Sequence, residues 1–197
     1  MTDSHTATPK DSCWQGEQIR LRAAEPGDWE AFVAWNAEDV TGRNLDFLRF
    51  PQSLEATRHW VAELSARRPT SDDYALLMEN REGITVGGIA THDGDRRVGT
   101  WSYGLNVRAG FRQRGYAAEA VILLARYMFG ELRYQKCTVQ VYDFNLPSIR
   151  LHERLGFRRE GQLRRMGFTE GRHFDVLVFG LTVEEFTARH GIIAGRQ

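Results

Sequence analysis

The sequence is poor in cysteine, with only Cys13 and Cys137 among 197 residues. Their positions form neither a metal-ligand nor a redox spacing, so no metal is expected. Cys13 lies near the N-terminal tail and Cys137 in an expected strand, so no disulfide is expected either. Unpaired thiols fit a reducing cytoplasm. Excess charge is also missing, since 26 Lys and Arg face 26 Asp and Glu for a formal net charge of zero. That weighs against nucleic acid as the main partner, because phosphate binding usually shows as a basic surplus. No apolar run approaches the roughly 20 residues that span a bilayer, so no membrane partner is expected. The polar stretch from Met1 to Ser12 lacks the apolar centre of a secretory signal. No repeat or low-complexity linker interrupts the chain after about Gln15. These absences leave a disordered tail over residues 1–16, one domain over 17–190 and a short tail over 191–197.

What is present reads as alternating strands and helices. Ile19 to Arg22 alternates as a first strand. Asp28 stands as a helix N-cap before Trp29, Phe32, Val33 and Trp35, and Asn36 to Pro51 reads as irregular. Ser53 can cap a second helix that ends before Pro69. Tyr74 to Glu79 and Ile84 to Thr91 flank a hairpin turn. After the turn from His92 to Asp95, Arg96 to Val107 forms another strand. An apolar helix from Tyr116 to Phe129 and a strand from Lys136 to Asp143 follow. A short helix from Leu146 to Leu155 stops at Gly156, and strands near Phe157 to Phe168 and His173 to Leu181 close the core. The order β-α-α-β-β-β-α-β-α-β-β predicts an α/β (α+β) fold around one mixed sheet.

The most informative segment is Arg112-Gln113-Arg114-Gly115-Tyr116-Ala117, where a strand runs into a helix. The first turn of a helix has N–H groups without intrahelical partners, and its aligned peptide dipoles add about half a positive charge. Together they form an anion site. Gly115 lets backbone approach a phosphate closely, and Arg112 and Arg114 add charge. Strand–glycine–helix turns also occur with no ligand. No Gly-Lys-Ser/Thr ends the loop, so it is not a P-loop, and Gly87-Gly88 lies within a strand pattern, so there is no dinucleotide fingerprint. Downstream, Asn145, Ser148 and His152 share one stripe of the short helix, with Leu151 and Leu155 beside them. Taken alone, that stripe also reads as an ordinary capped surface helix.

The two segments resemble the GNAT acetyltransferase superfamily. Its acetyl-CoA motif, Gln/Arg-x-x-Gly-x-Gly/Ala, is matched by Arg112 to Ala117. Its second motif, Asn-x-x-Ala/Ser-x-x-x-Tyr-x-x-x-Gly-Phe, is similar to Asn145 to Phe157. Ala118-Glu119-Ala120 is similar to the branch that includes ribosomal-protein N-terminal acetyltransferases. The resemblance implies a mostly antiparallel sheet with splayed fourth and fifth strands and helices on both faces. It implies acetyl-CoA as co-substrate. Amides of Arg114, Gly115, Tyr116 and Ala117, with Arg112 and Gln113, would hold the pyrophosphate, and amides near Leu105 and Val107 the pantetheine arm. Asn145 and Ser148 would present polar groups towards the splay. A neutral amine would attack the thioester directly in a ternary complex. A homodimer is compatible with the family.

Two positions depart from the pattern. His152 stands where the family has the Tyr that protonates the leaving thiolate, and histidine can donate a proton near neutrality. An unremarkable surface histidine fits equally. Ser102 stands where many relatives carry a Glu base, and a hydroxyl can only order a water. Glu119 reads as structural. The acceptor is a primary amine, on a small molecule or a protein N-terminus. It is expected against the segment from Asn36 to Pro51, whose Phe47 and Phe50, with Trp35 beside them and Glu38, Asp39 and Asp46, can hold a cation or simply be core and solvated loop. The missing base keeps a non-catalytic acyl-CoA-binding module open as an alternative, alongside transfer of a larger acyl group such as succinyl.

Overall fold

The computed structural model describes residues 12–37, 39–45, 48 and 50–191. Seven strands form one sheet in the order β1 (Ile19–Arg22), β2 (Ala75–Asn80), β3 (Thr85–Asp95), β4 (Thr100–Val107), β5 (Lys136–Tyr142), β7 (Arg172–Thr182) and β6 (Arg158–Thr169). All neighbours are antiparallel except β4 and β5. The helices are α1 (Trp29–Asn36), α2 (Asp39–Leu45), α3 (Leu54–Ala66), α4 (Tyr116–Gly130), α5 (Leu146–Leu155) and α6 (Val183–His190). Among the described residues no helix is long and apolar enough to cross a membrane.

Strand alternation sends successive side chains to opposite faces, so each face needs its own cover. Met78, Ile89, Trp101 and Tyr103 belong to the larger core with α4, Leu155 of α5 and Phe186 of α6. Leu77 turns the other way and packs with Phe32 and Trp35 of α1 and Val61 of α3. Helices therefore cover both faces, as the resemblance implies.

β5 pairs with β7 along its whole length, from Lys136↔Thr182 to Tyr142↔Val176. Its ladder with β4 stops after Thr100↔Lys136 and Trp101↔Cys137. The two parallel strands then part, and α5 packs near the opening.

Several expectations need correction. The 36–51 segment is not wholly irregular, since α2 forms within it; Glu38, Asp46 and Phe47 lie outside the described residues. β3 runs on to Asp95, so the turn falls one step later, before Thr100. The helix α6 was hidden by its brevity, although Thr182 and Glu185 form a capping box at its start. Residues 12–16, expected in the tail, pack on the domain: the Trp14 ring lies 4.5 Å from that of Tyr127. Residues 1–11 and 192–197 lie outside the described part.

Asp28 does not cap α1 with its side chain. Its carboxylate instead accepts from the Glu25 amide (2.7 Å), both Nη atoms of Arg22 (2.7 Å each) and Thr85 Oγ1 (3.0 Å). Arg22 also reaches Glu79, whose other oxygen meets Arg20. A cation on β1 thus gathers the buried acids of the turn and of β2. Burial pushes the Asp28 carboxyl up, but the Arg22 guanidinium and the Glu25 amide outweigh it and hold the group below its ordinary value. The depressed value makes Asp28 stabilising above the ordinary carboxylate range, with the benefit lost as pH falls through the folded-state value. Asp28→Asn is expected to lower stability by about 1.5–3 kcal/mol near neutrality, the range for hydrogen bonds to a charged group. The gap between variant and parent should close in strong acid. Urea midpoints at the two pH values check this, and equal midpoints near neutrality would contradict it.

Candidate functional site

The opening between β4 and β5 presents backbone. Arg108 N–H reaches Val86 C=O on β3 at 2.9 Å. Amide direction alternates along a strand, so the amides of Tyr103, Leu105 and Val107 point the other way, into the gap. The side chains of Leu105 and Val107 pack on the larger core. The resemblance singled out the amides of Leu105 and Val107, and both face the opening.

β4 leads through a turn at Ala109–Phe111 into the start of α4. Gly115 is the N-cap residue at φ 90°, and Gln113 lies at φ 62°. Both are left-handed, a conformation that suits glycine at the tighter position. The first intrahelical bond runs from Glu119 N–H to Gly115 C=O at 3.1 Å. The amides of Gly115 to Ala118 therefore have no intrahelical partner. Arg112 Nε donates to Val107 C=O (3.0 Å) and Arg114 Nη2 to Gly110 C=O (3.1 Å). The guanidinium groups of Arg108 and Arg114 lie 5.2 and 5.3 Å from the centre of the Phe111 ring. Arg112 and Arg114 thus flank the helix start, and the gap amides lead towards it. The arrangement suits an extended chain ending in phosphates.

Glu119 is structural, as expected. Its carboxylate accepts from the amides of Glu17, Gln18 (3.1 and 3.0 Å) and Ile19 (3.2 Å), tying the lead-in of β1 to the first turn of α4.

α5 is capped as its sequence suggested. Asn145 Oδ1 accepts from Ser148 N–H at 3.2 Å, and Gly156 ends the helix at φ 98°. His152 is not a surface residue, being only 3% exposed. Its ring stacks on Tyr103 of β4 (5.9 Å, 27°) and on Phe179 of β7 (6.0 Å, 25°), with Phe157 edge-on. Nδ1 lies 2.8 Å from the Ser148 carbonyl, which can only accept. Nδ1 therefore carries the proton. Burial lowers the His152 pKa below its ordinary value, against the smaller opposing effect of that carbonyl, so the neutral ring is the stable form near neutrality. Nε2 is then an acceptor, and the Tyr103 hydroxyl, 2.9 Å away, donates to it. Burial pushes the Tyr103 phenol well above its ordinary value and keeps its proton on. The neutral ring thus carries its one proton on Nδ1, and the proton shared between the two residues belongs to Tyr103. Sequence reading missed Tyr103; the one available signal was its place on the core-facing parity of β4, next to Ser102.

Ser102, Gly104 and Asn106 occupy the other face of β4 by alternation. A side chain at Gly104 would meet nothing within 4 Å, so this face is open there. α2 contacts β4, and Arg43 of α2 reaches Glu170 in the β6–β7 turn at 3.5 Å. Trp35 does not line this opening; it is 7% exposed within the second core. Asp39 pairs with Arg43 at 3.8 Å, and Phe50 is exposed.

The family described as "Acetyltransferase (GNAT) domain" matches residues 18–158. The chain belongs to the GNAT acetyltransferase family. The "SPbeta prophage-derived uncharacterized N-acetyltransferase YokL" of Bacillus subtilis is 43% identical over 178 residues, covering 90% of this chain and 97% of the relative. The "Putative ribosomal N-acetyltransferase YdaF" of the same organism is 26% identical over 181 residues, covering 89% and 97%. Among solved structures, a spermidine N-acetyltransferase from Vibrio cholerae in complex with CoA and spermine shares the fold, with a TM-score of 0.75 at 18% identity over 87% of this chain and 99% of that one. The protein is therefore an N-acetyltransferase rather than a non-catalytic binding module, and the fold is one that uses acyl-CoA.

Proposed function

We propose that this acetyltransferase transfers acetyl from acetyl-CoA to a primary amine by direct attack. The observation that carries this reading is the parting of β4 from β5 directly before the Gly115 loop. The pantetheine arm lies along the Leu105 and Val107 amides, in the manner of an added strand. The pyrophosphate sits at the amides of Arg114 to Ala117, with Gln113 alongside and Arg112 adding charge. Asn145, held as the cap of α5, and Ser148 border the arm from the other side. The amine enters over the open face at Ser102 and Gly104, and its nitrogen bonds to the acyl carbon as the carbon–sulfur bond breaks. A gap amide polarises the carbonyl. The nitrogen loses its extra proton to solvent water, the thiolate takes a proton from the Tyr103 hydroxyl, and the phenolate so formed is reprotonated from solvent; His152 acts through Tyr103 as a positioning residue.

Ser102 offers no base, so the acceptor must arrive largely neutral. An α-amine, with a pKa of about 7.7–8.0, meets that condition far better than a lysine amine at about 10.4. A peptide N-terminus or a similarly acidified amine is the preferred acceptor. The similarity of Ala118-Glu119-Ala120 to the ribosomal branch, and the name of the relative YdaF, support the same choice.

Gly115→Asp places bulk and negative charge at the pyrophosphate. Calorimetry should show acetyl-CoA affinity falling by at least tenfold, whereas unchanged affinity in a folded variant rejects the site. Tyr103→Phe and His152→Phe should each lower turnover with acetyl-CoA affinity nearly intact; loss of a proton donor typically costs about 100- to 10,000-fold. Turnover of Tyr103→Phe within a few-fold of the parent would remove Tyr103 from the reaction. Offered two peptides, one with a free α-amine and blocked lysine and the other the reverse, the enzyme should acetylate the α-amine faster. Preference for the lysine would overturn the acceptor assignment.

A further inference from the structure

The segment before β1 does more than begin the sheet. The three amides of residues 17–19 are drawn onto the Glu119 carboxylate, one helical turn beyond Gly115. That fixes the backbone of Gln18 across the start of α4. The side chain of Gln18 then turns towards the loop: a Cβ built on Gly115 would lie 3.0 Å from Gln18 Nε2 and 3.8 Å from its Cδ and Oε1. Among the described residues the Gln18 carboxamide has no hydrogen-bond partner. It is exposed, its backbone is immobilised and its donor group borders the loop glycine.

The same geometry settles an electrostatic difficulty. Glu119 puts a negative charge in the first turn of α4, where phosphate should bind. An isolated carboxylate there would repel a diphosphate, but this one is surrounded by amide donors. The N-terminal segment both screens the acid and brings an uncharged donor of its own to the anion site.

We propose that Gln18 is part of the acetyl-CoA site and donates its carboxamide N–H to the pyrophosphate, completing a cradle whose other donors are the amides of Arg114 to Ala117. This rests on the assignment of the pyrophosphate to the Gly115 loop. The role differs from that of the loop arginines, which are charged and already bonded to loop carbonyls; Gln18 is a neutral, pre-placed donor. A donor to a charged oxygen contributes more than one to a neutral partner, whereas a carboxylate at the same place would repel it.

The test compares two acyl donors, acetyl-CoA and S-acetylpantetheine, which lacks the diphosphate. For Gln18→Ala, kcat/KM with acetyl-CoA should fall about 10- to 100-fold, the range set by hydrogen bonds to charged groups. For Gln18→Glu the fall should be larger. With S-acetylpantetheine both variants should match the parent. An unchanged kcat/KM with acetyl-CoA for Gln18→Glu overturns the proposal. So does an equal loss with both donors, which would mark a general disturbance of the fold. Gly115→Asp, run beside them, separates this from failure of the underlying assignment. If Gly115→Asp loses acetyl-CoA selectively and the Gln18 variants do not, only Gln18 is excluded. If Gly115→Asp shows no selective loss, the loop itself is not the pyrophosphate site.

Discussion

The structure depends on one interruption: the hydrogen-bonded ladder between β4 and β5 ends after two pairs. Buried backbone amides are rarely left without partners, because an unmet donor removed from water costs as much as a lost hydrogen bond. A sheet that parts in its middle must therefore hold the two strands apart by packing and reserve the freed amides for something else. The His152 ring provides the packing. It stacks on Tyr103 from β4 and on Phe179 from β7, the strand that pairs β5 along its full length. Its own polar atoms are satisfied at both ends, so it can stand between strands without an unpaired group.

That arrangement changes what His152 means. A histidine at the place of a proton-donating tyrosine invites a simple exchange of one acid for another. Burial and the Ser148 carbonyl instead fix a neutral tautomer whose second nitrogen accepts. The proton between the two rings sits on a phenol of the splayed strand itself. What an imidazole can do depends on which nitrogen is already engaged.

How much of this was legible beforehand follows from the range of each interaction. Local chemistry read well: Ser53 and Asn145 cap their helices, and Gly156 ends α5. The pattern of the loop and the short helix was enough for the family. Features made by distant partners were invisible. The pairs joining Glu119 to residues 17–19 span about one hundred positions, and the bond between Tyr103 and His152 spans 49. Asp28 looked like a cap because its neighbours suited one, yet a half-buried arginine nearby competed for its carboxylate and won. Short elements such as α2 and α6 carry too few turns for periodicity to speak.

The chain thus presents two kinds of unpaired donor in sequence: strand amides freed by the splay, then helix amides freed at the start of α4. One ligand running across both sets is tested by amide hydrogen exchange. On addition of acetyl-CoA, protection should rise together at Leu105, at Val107 and at the amides from Arg114 to Ala117, with little change along β6. Protection confined to the loop, with Leu105 and Val107 exchanging as before, would contradict a ligand that runs along the splayed strand.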